Sequence, residues 1–131
     1  MFKGTYTALV TPFKEGDIDW PALDNLIEWQ IEQGIHGLVI SGTTGEAPTL
    51  SVDEHKRIVE RSIAVVKGRI PIMVGTGTNV TKTTIEKTRH AQNAGADAAL
   101  VVTPYYNKPT QEGLYEHYRE IAQNTDVPIV I

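Results

Sequence analysis

Short apolar, β-branched runs alternate with longer segments of helical period along the chain, and this alternation limits the fold more than any other feature. The runs are Thr5–Val10, Gly37–Ile40, Ile70–Val74, Ala98–Val102 and Val127–Ile131. Runs this short, with turn residues behind them, predict strands buried on both faces. Between them, Asp19 is placed to cap a helix with Pro21 in its first turn and Leu23, Leu26, Ile27 and Ile31 on one face, closed by Gly34. Ser51-Val52-Asp53-Glu54 is a capping box ahead of Ile58, Val59, Ile63 and Val66, with Gly68 at the end. A third, weakly apolar helix is predicted over Thr81–Ala94, closed by Gly95. A fourth starts near Thr110 and carries Leu114, Tyr118, Ile121 and Ala122.

The order is strand-helix four times and then a fifth strand. Its step of roughly 30 residues is that of a βαβ unit. Strands joined through helices run parallel. Two α/β architectures fit, an open doubly wound sheet and part of a (β/α)8 barrel. A whole barrel takes about 250 residues, so 131 residues supply about half of one. No linker or low-complexity tract divides the chain, and residues 1–131 read as one incomplete domain. A net charge of −4 gives no reason to expect nucleic acid or an anionic membrane as partner. No run approaches the roughly 20 apolar residues of a membrane helix, and Met1-Phe2-Lys3-Gly4 lacks the apolar core of a signal peptide. The absence of cysteine removes thiolate and disulfide chemistry and fits a cytoplasmic protein.

In either architecture ligands bind at the C-terminal ends of parallel strands. The first four such ends all offer hydroxyls: Thr11-Pro12-Phe13, Ser41-Gly42-Thr43-Thr44-Gly45-Glu46, Gly75-Thr76-Gly77-Thr78-Asn79 and Thr103-Pro104-Tyr105-Tyr106-Asn107. Paired glycines allow a tight turn, and adjacent threonine hydroxyls with free amides suit a small carboxylate. A plain glycine turn capped by threonines explains the same residues. Neither glycine motif is complete as a phosphate loop or a dinucleotide fingerprint. Of Tyr105 and Tyr106, one is expected to pack and the other to relay protons. His36, His55, His90 and His117 show no metal-ligand spacing. His90 and His117 are expected on solvated helix faces. His55 follows just after the Thr43-Thr44 loop, from where it could reach an effector, and reads as an exposed first-turn residue. The lysines, Lys87 among them, read as solvated surface charges, and none lies in a barrel strand where burial would deprotonate it for imine chemistry.

The stretches Gly42–Glu46, Gly75–Gly77 and Pro104–Tyr115 resemble the dihydrodipicolinate synthase family, and the resemblance runs from Met1 to Ile131. It implies a (β/α)8 barrel, of which this chain holds (β/α)4 plus a fifth strand in the order 1-2-3-4-5. It also implies a lyase of the Schiff-base aldolase type. Such an enzyme joins pyruvate to L-aspartate 4-semialdehyde in lysine and diaminopimelate biosynthesis, with no cofactor or metal, in a cytoplasmic homotetramer. Thr44 would bind the pyruvate carboxylate, and Thr43 and Tyr106 would belong to a proton relay reaching between subunits. A third relay tyrosine and the imine lysine would fall beyond Ile131, so the chain alone is expected to be inactive. Pro48, Val52, His55, Asn79, Thr83 and Tyr105 fall on positions of the family's lysine-feedback site. Val52 and Thr83 depart from the lysine-sensitive pattern of His and Glu. The rival readings are another pyruvate-dependent aldolase such as N-acetylneuraminate lyase, a non-catalytic half-barrel scaffold, and a flavodoxin-like domain of strand order 2-1-3-4-5.

Overall fold

The computed structural model describes residues 2–131. In chain order it contains β1 (Tyr6–Ala8), β2 (Phe13–Lys14), β3 (Asp17–Ile18), α1 (Trp20–Glu32) and β4 (Gly37–Ile40). A short 3-10 turn (Ala47–Thr49) leads to α2 (Val52–Val66), β5 (Ile72–Gly75), α3 (Thr81–Ala94), β6 (Ala98–Leu100), α4 (Gln111–Gln123) and β7 (Ile129–Val130).

Five strands form one sheet in the order β1-β4-β5-β6-β7, so every predicted strand lies beside its sequence neighbour. All four pairings are parallel, for example Leu38 opposite Ile72 and Val74 opposite Ala99. The order never reverses, which removes the doubly wound alternative. The helices agree with this: α1 packs on α2, α2 on α3 and α3 on α4, as successive helices do around the outside of a barrel. The architecture is that of four βα units and a fifth strand of a (β/α)8 barrel.

The core lies between the sheet and the helix layer. Leu23 and Ile27 of α1 and Ile58, Val59 and Val66 of α2 meet Leu38, Ile40, Ile72 and Val74 of the sheet. A second cluster joins Ala99, Val101, Ile121 and Val127. Helix starts follow the caps expected from sequence. Asp19 accepts from the Ala22 amide at 3.0 Å, Ser51 and Glu54 form the reciprocal box, and Thr110 accepts from the Gly113 amide. The α2 terminus differs slightly, because Lys67 itself takes the left-handed cap conformation ahead of Gly68.

Three features depart from the sequence reading. Residues 13–18 form an antiparallel hairpin, with Phe13 opposite Ile18 and Glu15 and Gly16 both at positive φ in the two-residue turn. Helix α3 buries a threonine face, Thr84 and Thr88 beside Ala91, rather than an aliphatic one. The Thr88 hydroxyl lies 2.8 Å from that of Thr76, and Thr84 accepts from the Thr78 amide at 2.9 Å. The helix is thereby tied to the end of β5 by hydroxyls. His117 does not lie on a solvated face. It is buried, with Nδ1 at 2.9 Å from the Thr81 hydroxyl, and burial lowers its pKa.

Candidate functional site

The end of β1 lies against the turn after β4, and the C-terminal ends of β4, β5 and β6 converge on a cavity of about 390 Å³ lined by Ser41, Gly42, Thr43, Pro48, Leu50, Gly75, Gly77, Thr78, Lys87, Val102 and Tyr105, among others. Two close approaches build it. A Cβ on Gly75 would stand 2.1 Å from the Ser41 carbonyl oxygen, and one on Gly77 would stand 2.4 Å from the Val102 amide. These glycines let adjacent strand ends touch backbone to backbone, which accounts for Gly75-Thr76-Gly77 without a phosphate.

The hydroxyls at these ends divide into engaged and free. Thr11, buried, donates to the Gly45 carbonyl at 2.7 Å and so latches the β4 turn to the end of β1. Thr76 and Thr78 are tied to α3 and its entry. Thr103 lies 3.1 Å from the Tyr118 hydroxyl. Within the latched turn, the amides of Gly45 and Glu46 fold back on the Gly42 and Thr43 carbonyls. Among the described residues, the hydroxyls and amides of Thr43 and Thr44 make no hydrogen bond, and both side chains are exposed. The turn therefore presents two adjacent hydroxyls and two adjacent amides to a ligand. Thr43 lines the cavity and Thr44 stands outside it.

The two tyrosines separate. Tyr105 lines the cavity, whereas Tyr106 is 92% exposed at φ 66°. A β-carbon-bearing residue in that left-handed conformation is strained. Asn107 holds it there: its side-chain amide donates to the Asn79 carbonyl at 2.8 Å, and its own amide donates to the Tyr105 carbonyl at 2.7 Å. Asn79 returns a contact from its side-chain amide to the Asn107 side-chain oxygen at 3.3 Å. Tyr106 thus projects from a turn clamped to the β5–α3 loop and does not reach the cavity of its own chain.

The expectation of an exposed His55 is overturned. His55 is 1% exposed, with Nε2 at 2.8 Å from the Gly75 carbonyl and Nδ1 unpartnered. Its pKa is lowered to about 4, chiefly by burial. Sequence spacing carried the signal, since His55 stands three residues before Ile58 on the buried face of α2. Of the other candidate effector residues, Pro48 and Tyr105 line the cavity, while His55, Val52 and Thr83 line an adjoining groove of about 410 Å³ between α2 and α3. Asn79 lines neither. The sequence predicts solvated lysines throughout. Lys14 falls in the β2–β3 hairpin, exposed, but Lys87 is partly buried and lines both hollows. Burial lowers its pKa.

The family model of the dihydrodipicolinate synthetase family matches residues 1–131. The 4-hydroxy-tetrahydrodipicolinate synthase of Bradyrhizobium diazoefficiens is 58% identical over 130 residues, 99% of this chain and 44% of its own. The crystal structure of dihydrodipicolinate synthase from Aquifex aeolicus superposes with a TM-score of 0.96 at 51% identity, over 98% of this chain and 44% of that one. The Acinetobacter baumannii synthase complexed with pyruvate gives 0.96 at 53% identity, over 98% and 45%. The chain spans less than half the length of these relatives.

Proposed function

The chain belongs to the dihydrodipicolinate synthetase family, and from that premise we propose that it is the N-terminal half of a barrel that condenses pyruvate with L-aspartate 4-semialdehyde through a lysine imine. The observation that supports this most is the latched Gly42–Glu46 turn, whose Thr43 and Thr44 hydroxyls and amides have no partner among the described residues. In this reading Thr44 and the turn amides hold the pyruvate carboxylate by hydrogen bonds, without a cation. Thr43 relays protons with Tyr106. Since Tyr106 points away from its own cavity, its partner is the Thr43 of a neighbouring subunit, and the working enzyme is an oligomer, a tetramer in the cytoplasm. No metal or cofactor takes part. The imine lysine comes from outside residues 1–131, because no lysine of this chain lies in a strand of the five-stranded sheet. Residues 1–131 alone are inactive. Pro48, His55, Asn79 and Tyr105 belong to an effector site beside the reaction site.

Kinetics of the full-length protein test the assignment. Thr44→Val removes a ligand hydroxyl at similar volume and raises the pyruvate KM. Thr43→Val breaks the relay and chiefly lowers kcat. Unchanged kinetics in both variants refute it.

A further inference from the structure

The loop between β6 and α4 is fixed at its ends and strained at its centre. Pro104 is buried at one end, and Thr110 caps α4 at the other. Between them Tyr106 stands at φ 66° and Lys108 at φ 47°, so two residues that carry a β-carbon are left-handed on either side of Asn107. The Asn107 amide donates to the Tyr105 carbonyl at 2.7 Å and closes a three-residue turn around Tyr106. A γ-turn with positive φ at its central residue is rare and strained. Tyr106 does not offset that strain by packing, because it is 92% exposed.

The restraint on the turn is the Asn107 side chain. Its amide donates to the Asn79 carbonyl at 2.8 Å, and its oxygen accepts from the Asn79 side-chain amide at 3.3 Å. That carbonyl is a fixed point. The Thr78 hydroxyl accepts from the Val80 amide at 3.1 Å and donates to the Val80 carbonyl at 3.0 Å, so the chain on both sides of Asn79 is pinned. Thr84 of α3 in turn accepts from the Thr78 amide at 2.9 Å. Asparagine suits this place because one short planar group both donates and accepts. Aspartate would set a carboxylate against a carbonyl, and alanine would offer neither bond. We propose that Asn107 is a positioning residue, whose side chain holds the strained turn that aims the Tyr106 hydroxyl out of its own chain. This rests on the reading of Tyr106 as a member of the proton relay. Proton transfer requires hydrogen-bond distance, and an exposed tyrosine on an unclamped loop would swing out of that range.

Steady-state kinetics of the full-length protein test this through a double-mutant cycle on Asn107→Asp and Tyr106→Phe. Asn107→Asp keeps the shape of the side chain and removes the donor. It lowers kcat by about tenfold or more, as small misplacements of a reacting group do. The pyruvate KM and the sedimentation coefficient stay as they were, because the Thr43-Thr44 turn is untouched. Asn107→Ala acts in the same direction without the added charge. In a Tyr106→Phe background either substitution has little further effect, since the hydroxyl it aims is absent. A merely structural role would not produce that loss of additivity. Equal factors in both backgrounds overturn the proposal, and so does a smaller sedimenting species, which would make Asn107 an interface residue. If Tyr106→Phe lowers kcat and neither Asn107 variant does, the relay reading stands and the clamp alone is refuted. Full activity in Tyr106→Phe overturns both, because no aimed hydroxyl is then needed.

Discussion

The site depends on which hydroxyls are already occupied, and the sequence does not show this. Thr11, Thr43, Thr44, Thr76, Thr78 and Thr103 read as equivalent offers at strand ends. Only the fold engages Thr11 with Gly45 and Thr76 with Thr88 and leaves Thr43 and Thr44 free. His55 illustrates the converse, a polar residue at a helix start that burial makes structural. Its neutral ring bridges α2 to the Gly75 carbonyl, and its pKa falls from 6.5 to about 4. A depressed folded-state pKa means the unfolded chain takes up the proton first. The stabilisation is therefore complete above about pH 6.5 and is lost as pH falls towards 4. The maximum loss is about 3 kcal/mol by linkage. Urea unfolding at pH 7, 5.5 and 4.5 measures it. His55→Gln should be less stable at pH 7 and should lose much of the decline between pH 6.5 and 4. An unaltered decline would show that other groups cause it.

At the scale of elements, the Thr11 latch joins two strand ends and one loop. Thr11→Val removes the donor to Gly45 while nearly conserving volume, leaving a buried carbonyl unsatisfied. It should cost about 1–3 kcal/mol in stability and also raise the pyruvate KM, since the Thr43-Thr44 turn loses its anchor. Denaturant unfolding with steady-state kinetics checks both, and lost stability at unchanged KM would mean the turn holds itself. Gly75→Ala should be worse tolerated, because its Cβ would overlap the Ser41 carbonyl. The main strands and all four helices were legible in the sequence because aliphatic period and caps agree at each, as at Ser51–Glu54. The β2–β3 hairpin was not, because strands of two residues carry no period. Its Glu15-Gly16 turn was the only local signal. The threonine face of α3 was equally opaque, since hydroxyls that satisfy one another inside look polar in sequence.

For the whole molecule, five parallel strands leave β1 and β7 as sheet edges, and Val10, Val102 and Ile131 are exposed. A few hundred Å² of such surface at about 25 cal/mol per Å² amounts to several kcal/mol, comparable with the stability of a domain. A polypeptide of residues 1–131 by itself should therefore associate through its edges and apolar face rather than sediment as a sharp monomer. A monomer that unfolds cooperatively would show that the half barrel closes on itself. The order of strands was readable from the βαβ step once one architecture was chosen, but the choice required the observed neighbours. The central claim, that this chain is the pyruvate-holding half of an imine-forming barrel, is tested most directly by borohydride reduction of the full-length protein with pyruvate, followed by peptide mass mapping. The account predicts one covalent pyruvate adduct on a lysine outside residues 1–131, much reduced by Thr44→Val. No adduct, or an adduct on Lys87 or any other lysine of this chain, would contradict it.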